Sequence, residues 1–351
     1  MNSRRFVCLL TAAVLAISAA LYLSTQRSLP RDPKGTAFLP YLAREMNGVS
    51  ELSIRKGGLT PTVTVQKHAD QWTVKQRADY PADITKLRKL LLALNDAKIV
   101  EEKTANPASF PIIGVEDPAS AGAAGSEIDI IVANGSHAVI VGKPVGDGNF
   151  ARRGGENQSY SIEPAIVFEA EPRYWIDNRL TDLAAANIQS IEVKPAGGPA
   201  YIVHRSGPGS APFLLDGVPA GRKPADATAL APSPTAYGAI TAEDVAAASS
   251  IDFGKPTVAA VTMSDGSVVT LTGAVSGDRH WVRIESSKDA ALNSKATGRA
   301  FELTGYRYDA IFRPLEQLLM PKDLPSAAKK SAPAVSPLPA PAKKALPAPH
   351  S

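Results

Sequence analysis

The chain has 351 residues, 44% hydrophobic and 21% charged, with a net charge of +4, a size and balance that suit two globular domains. Its single cysteine, Cys8, leaves the rest of the chain without a thiol, which excludes disulfides, thiolate metal sites and a cysteine nucleophile beyond the N-terminus. From Pro321 onward Lys322, Lys329, Lys330, Lys343 and Lys344 stand against Asp323 alone, so this tail carries the whole charge excess and the body is neutral. That distribution argues against a nucleic-acid binder, which concentrates basic residues on a folded surface.

In chain order, Arg4 and Arg5 precede an uncharged run, Phe6–Leu23, about 27 Å long as a helix and close to the thickness of a hydrocarbon core. Residues 1–26 therefore read as a membrane anchor or signal. The paired arginines place its start in the cytoplasm and the bulk of the chain in the periplasm, on the outer side of the inner membrane. Ser18-Ala19-Ala20 is a possible cleavage site, but the apolar run continues past it, which favours a retained single-pass anchor. Residues 27–48 form a linker. Glu51–Arg55, Pro61–Lys67 and Gln71–Val74 alternate with period two and predict an antiparallel meander. Ile84, Leu87, Leu90, Leu91 and Leu94 fall at helical spacing behind Pro81, predicting an amphipathic helix over one sheet face. Ile128–Val141 predicts a hairpin turning at Asn134-Gly135, with Ile128, Ile130, Val132, Val139 and Val141 on one face.

The same devices return. An offset of 131 maps Gly135 onto Gly266, Gly142 onto Gly273, Gly146-Asp147 onto Gly277-Asp278, Phe150 onto Trp281 and Arg152 onto Arg283. An offset of 139 maps Val49, Leu52, Ile54 and Val63 onto Ile188, Ile191, Val193 and Ile202. Such a period predicts two tandem duplicated domains of α+β class, 49–187 and 188–320, each of antiparallel strands with a covering helix. In the second, a helix is expected from Thr241 to about Ser250, and 206–238 reads as an inserted loop rich in Gly, Pro and Ala. The tail, 321–351, repeats Pro, Ala and Lys and reads as disordered, with a possible electrostatic hold on an acidic envelope surface.

Catalytic constellations are missing from the pattern. His68, His137, His204, His280 and His350 lack metal-ligand spacing, no serine sits in a nucleophile elbow, and Gly146-Asp147-Gly148-Asn149 lacks the ligands of a calcium or phosphate loop. No catalytic, cofactor or metal residues are expected, and the protein reads as a non-enzyme. The candidate interaction residues are Arg152 and Arg283 with Phe150 and Trp281, because an aromatic two residues before an arginine shares its strand face. Their alternative role is structural, with Asp147 and Asp278 as the arginines' partners.

Gln71-Trp-Thr-Val74, Tyr80-Pro-Ala-Asp83, Gly114-Val-Glu-Asp-Pro118, Phe150-Ala-Arg152 and Tyr160-Ser-Ile162, in this order, make the chain resemble the bacterial domain-of-unknown-function family 4340. The resemblance covers Val49 to Leu180 and extends more weakly to Leu319, with Ser120–Ser126 as a local insertion. It implies a membrane-anchored accessory or adaptor of an envelope ABC-type transport system of the gliding-motility sort, with integral membrane components as partners and no catalytic residue to carry over. A second reading is a module for cell-wall or lipid-linked glycan, with an interdomain groove lined by Trp281, Arg152 or Arg283. A hydrolase with a dispersed site is the third.

Overall fold

The computed structural model describes residues 15–18, 34–120, 122–207, 209 and 211–321. Of the expected anchor only 15–18 fall among them, as exposed helix; the remainder of the anchor and the tail from Lys322 lie outside the described residues. Among the described residues no helix is long and apolar enough to cross a membrane.

Alternating side chains build the first sheet. Its strands are β1 (Glu51–Lys56), β2 (Val63–His68), β3 (Gln71–Val74), β4 (Tyr80–Pro81), β5 (Lys98–Glu102), β6 (Ser126–Val132), β7 (Gly135–Val145), β8 (Gly148–Arg153) and β9 (Ser159–Glu163). They pair antiparallel in the order β4-β3-β2-β1-β6-β7-β8-β9-β5. Leu52, Ile54, Val63, Val65, Ile128, Ile130, Val139 and Val141 line its inner face and are buried with Leu87, Leu90 and Leu94 of the helix Ile84–Asp96. Asp83 caps that helix: its carboxylate accepts from the backbone N–H of Thr85 and Lys86, while Pro81, expected near the first turn, belongs to β4.

A short antiparallel pair, β10 (Arg179–Thr181) with β14 (Ile240–Thr241), precedes and interrupts the second sheet. That sheet contains β11 (Ile188–Lys194), β12 (Tyr201–Arg205), β13 (Phe213–Asp216), β15 (Asp244–Ala247), β16 (Thr257–Met263), β17 (Val268–Ser276), β18 (Arg279–Ser286) and β19 (Arg299–Leu303), ordered β13-β12-β11-β16-β17-β18-β19-β15. This is the order of the first sheet without β4. The architecture is α+β, built on large antiparallel sheets.

Strand register refines the residue correspondences. Leu52 faces Ile130 as Ile191 faces Val261, so the offset of 139 holds on β1 and β11. Ile54 pairs with Val63 whereas Val193 pairs with Tyr201, so the counterpart of buried Val63 is buried Tyr201, and the expected Ile202 points to the opposite, outer face. On β7 a register shift between Val141 and Pro144 adds one residue that β17 lacks. Beyond it Val141, facing Ala151, corresponds to Gly273, facing Val282; Gly142 and Gly135 therefore do not correspond to Gly273 and Gly266. Gly146 and Gly277 do correspond. Each opens a two-residue turn in the left-handed region, φ 55° and 61°, before an aspartate whose φ is negative, the pattern of a type II′ turn.

Three local expectations are corrected. The first hairpin turns at Ala133-Asn134, because Gly135 already pairs with Val132. This moves the partner by two residues relative to the expected turn, which preserves the faces. The α-helix expected over Thr241–Ser250 is not formed: Asp244–Ala247 is strand β15, fixed by pairing with β19, by burial of Val245 and by an ion pair from Arg77 to Asp244, and only Ala248–Ser250 makes a single 3-10 turn. Tertiary pairing overrides the helical preference of its alanines. The segment 206–238 is more than a loop. It contains β13 and the short helices Ala227–Leu230 and Pro232–Thr235, and buries Phe213, Leu215, Leu230 and Tyr237, whose wide spacing hid the pattern.

The two sheets meet through one continuous buried cluster. Tyr80 packs edge-on against Phe301 at 5.5 Å, Arg299 donates to the carbonyls of Ala78 (3.0 Å) and Asp79 (3.2 Å), and Lys295 pairs with Asp177 at 2.8 Å. The chain closes most sheet edges itself. Gly35–Phe38 bonds along β5, Ile176-Asp177 bonds along β4, and β15 lies against the Lys75–Arg77 turn. Among the described residues, the outer edges of β13 and β15 make no backbone hydrogen bond to another segment, and the helix Ala227–Leu230 packs against β13.

Candidate functional site

The four sequence candidates occupy equivalent strands with different surroundings. On β8, Arg152 is 3% exposed. Its Nε donates to the carbonyl of Val115 (2.9 Å), and its two terminal nitrogens donate to the carbonyl of Glu156 (2.8 Å) and to Asp117 (2.6 Å), while its plane lies 4.8 Å from the Phe110 ring centre. Its acidic partner is Asp117, which corrects the expectation of Asp147. Phe150 packs beside it against a small cluster of Phe110, Val115 and Ile140. Thus Arg152 and Phe150 pin the segment Phe110–Pro118, including the short helix Phe110–Ile113, to the outer sheet face. Gly142 permits that closeness: a Cβ there would stand 2.4 Å from the carbonyl oxygen of Ile113.

On β18, Trp281 is 2% exposed and lies under Arg279, 4.5 Å from its ring centre. Arg279 also donates to Glu302 and to Asp244 at 3.3 Å, and its hydrogen bonds hold the Glu302 carboxyl below the usual carboxylate range. Arg283 differs. It is exposed, stacked 4.2 Å from the Phe253 ring centre, and none of its donors has a partner among the described residues. Of the residues expected to line an interdomain groove, Trp281, Arg152 or Arg283, the first is buried beneath Arg279, the second is sealed in the other sheet, and Arg283 opens on a cleft within the second sheet.

That cleft, about 490 Å³, lies on the outer face of β17 and β18 beside the helix Ala290–Ala296 and the turn at Gly298. The strand register sets Thr272 opposite Arg283 and Thr270 opposite Glu285, so four polar side chains share one patch. Thr270, Thr272 and Glu285 were not singled out in the sequence. The available signal was alternation: Val269, Leu271, Val282 and Ile284 are inward, which turns their neighbours outward.

A second polar group lies on the outer face of the first sheet. Arg55 bonds both Glu127 and Asp129, two residues apart on β6. Burial raises the Glu127 carboxyl above its ordinary value, and the charge of Asp129 adds to this; burial also raises Asp129, against the pull of Arg55. Among the described residues no group of three or more His, Cys, Asp or Glu side chains is placed to hold a metal ion.

Fold and site together define an α+β protein of two like-ordered antiparallel sheets, with arginines on its outer faces and an open polar cleft over β17 and β18. The family model described as Domain of unknown function (DUF4340) matches residues 72–249, half of the chain, and the chain belongs to that family. The match runs from Trp72 in β3 to Ser249, just beyond β15, and so spans parts of both sheets. No curated protein and no solved structure matches the chain.

Proposed function

We propose that the protein is a non-enzymatic accessory or adaptor of an envelope ABC-type transport system, held in the inner membrane by Phe6–Leu23 with its body in the periplasm. Its body is two copies of one sheet unit, bounded near Ile188, that offer docking surface. The observation that carries this reading is the edge of β13, which among the described residues makes no backbone hydrogen bond to another segment, since an unpaired strand edge is a template for another chain. Leu214, 46% exposed, and Ile202 flank that edge on the outer face and supply apolar contact. Anchoring partner and adaptor in one membrane raises their effective concentration, so a four-residue edge suffices as part of a weak interface.

The full chain, solubilised in a mild detergent, is expected to co-purify with integral membrane transport components, and deletion of Met1–Gln26 to weaken that association. Deleting the tail beyond Met320 is expected to matter less. Cysteines placed at Ser210 and Ser331 should react with a membrane-impermeant maleimide in intact spheroplasts; labelling only after lysis would overturn the orientation. Recovery of no membrane partner after crosslinking in cells, together with binding to purified glycan strands, would favour the wall-binding alternative instead.

A further inference from the structure

The cleft on β17 and β18 separates into groups already engaged and groups left over. Asn293 uses its amide on the backbone N–H and carbonyl of Ser286, and Thr297 donates to the carbonyl of Asn293. Arg299 is committed to four carbonyls, those of Ser294, Lys295, Ala78 and Asp79. These residues form walls. Thr270, Thr272, Arg283 and Glu285 line the same space, and their side chains have no hydrogen-bond partner among the described residues.

The arrangement of the leftover groups is specific in charge. Arg283 and Glu285 stand two residues apart on one face, about 7 Å at the backbone for roughly 3.4 Å of rise per residue. No ion pair joins them. The Phe253 ring against the Arg283 guanidinium restrains its plane and leaves its N–H edge available for a bidentate carboxylate. A simple anion at Arg283 would be repelled by the Glu285 carboxylate, and a simple cation at Glu285 by the guanidinium. A molecule with both charges satisfies both side chains, while the two threonine hydroxyls donate to or accept from the groups between its ends. The volume of about 490 Å³ lies in the range of small-molecule sites.

We propose that this cleft is a binding site for a small zwitterion carrying a carboxylate and an ammonium group, of the size of an amino acid or a dipeptide. The carboxylate lies against Arg283 and Thr272, and the ammonium against Glu285 and Thr270. This site is separate from the β13 edge, so it stands or falls independently of docking.

The test is calorimetric titration of the full chain, in mild detergent at neutral pH, with L-alanine and with L-alanyl-L-alanine. At least one should bind saturably. The N-acetyl and C-terminal amide forms of the binding probe, and the variants Arg283→Gln and Glu285→Gln titrated with the parent probe, should each show affinity lowered about tenfold or more, as expected for loss of a charge-assisted contact. Both side chains are exposed and unbonded, so the variants should melt within about 2 °C of the parent protein. In Glu285→Gln the N-acetyl form should bind no more weakly than the parent probe. Absence of saturable binding of either probe up to the order of 10 mM, equal affinity for the N-acetyl form in the parent protein, or undiminished binding in Arg283→Gln would overturn the proposal.

Discussion

Arg152→Met separates a structural arginine from an exposed one that shares its sequence context. The substitution keeps much of the apolar stem and removes the guanidinium. The carbonyl of fully buried Val115 then loses its 2.9 Å donor, at a cost of about 1–3 kcal/mol for an unpaired buried acceptor. The Glu156 carbonyl, nearer water, loses a 2.8 Å bond contributing about 1 kcal/mol. Asp117, whose side chain is 68% exposed, regains water, so its 2.6 Å ion pair adds less than about 1 kcal/mol. The total is about 3 kcal/mol, or a fall in melting temperature of roughly 6–12 °C at about 2–4 °C per kcal/mol for a unit of this size. Far-ultraviolet circular dichroism of the full chain on heating and in urea reads it. Arg283→Met, which removes only a stacked, exposed side chain, should change stability by less than about 0.5 kcal/mol. If Arg152→Met melts within about 2 °C of Arg283→Met, the clamp on Phe110–Pro118 is refuted.

Other substitutions test packing and charge. Gly142→Ala should destabilise by about 1–3 kcal/mol, because its Cβ would press on the carbonyls of Ile113 (2.4 Å) and Gly114 (2.8 Å); an unchanged urea midpoint would contradict that contact. The Tyr80 hydroxyl is buried without a partner among the described residues, whereas that of Tyr237 donates to the Ile311 carbonyl at 2.8 Å. Tyr80→Phe should therefore be neutral or stabilising and Tyr237→Phe destabilising by about 1 kcal/mol in the same urea titration, and the reverse order would be inconsistent with both environments. Glu127 has a raised carboxyl pKa, so the folded state holds its proton more tightly than the unfolded state: the associated stability is full below the unfolded value near 4.5 and is lost as pH rises through the folded one. Glu127→Gln should accordingly gain stability over the parent at neutral pH, with Arg55 still paired to Asp129, and the gain should fade on acidification; a gain that grows in acid would reverse the assignment.

Much of this architecture was legible because it is written locally. The alternation of Leu52 and Ile54, the leucines of Ile84–Asp96 and the repeated Gly146-Asp147 and Gly277-Asp278 turns each report a backbone period or a φ requirement within a few residues. What failed depended on pairing between distant segments. A one-residue bulge in β7 changes the correspondence of Gly142 and Gly273 without altering the visible string. β15 is a strand because β19 lies beside it, although DVAA has little strand preference. The site was half legible: the aromatic-x-Arg spacing found the right strands, but only tertiary surroundings tell Arg152, enclosed by Val115, Glu156 and Asp117, from Arg283, which faces a cleft. Glu285 and Thr270 lacked any signal except their place on the outward face.

The docking account is tested most directly by a photo-crosslinking amino acid at Leu214 on β13, with the more exposed Leu59 on the β1–β2 turn as control, in intact cells producing the full chain. The account predicts a crosslink from position 214 to an integral membrane protein, absent from position 59 and lost when Met1–Gln26 is deleted. A position 214 that captures no membrane protein, or captures the same ones as position 59, would contradict docking through this edge.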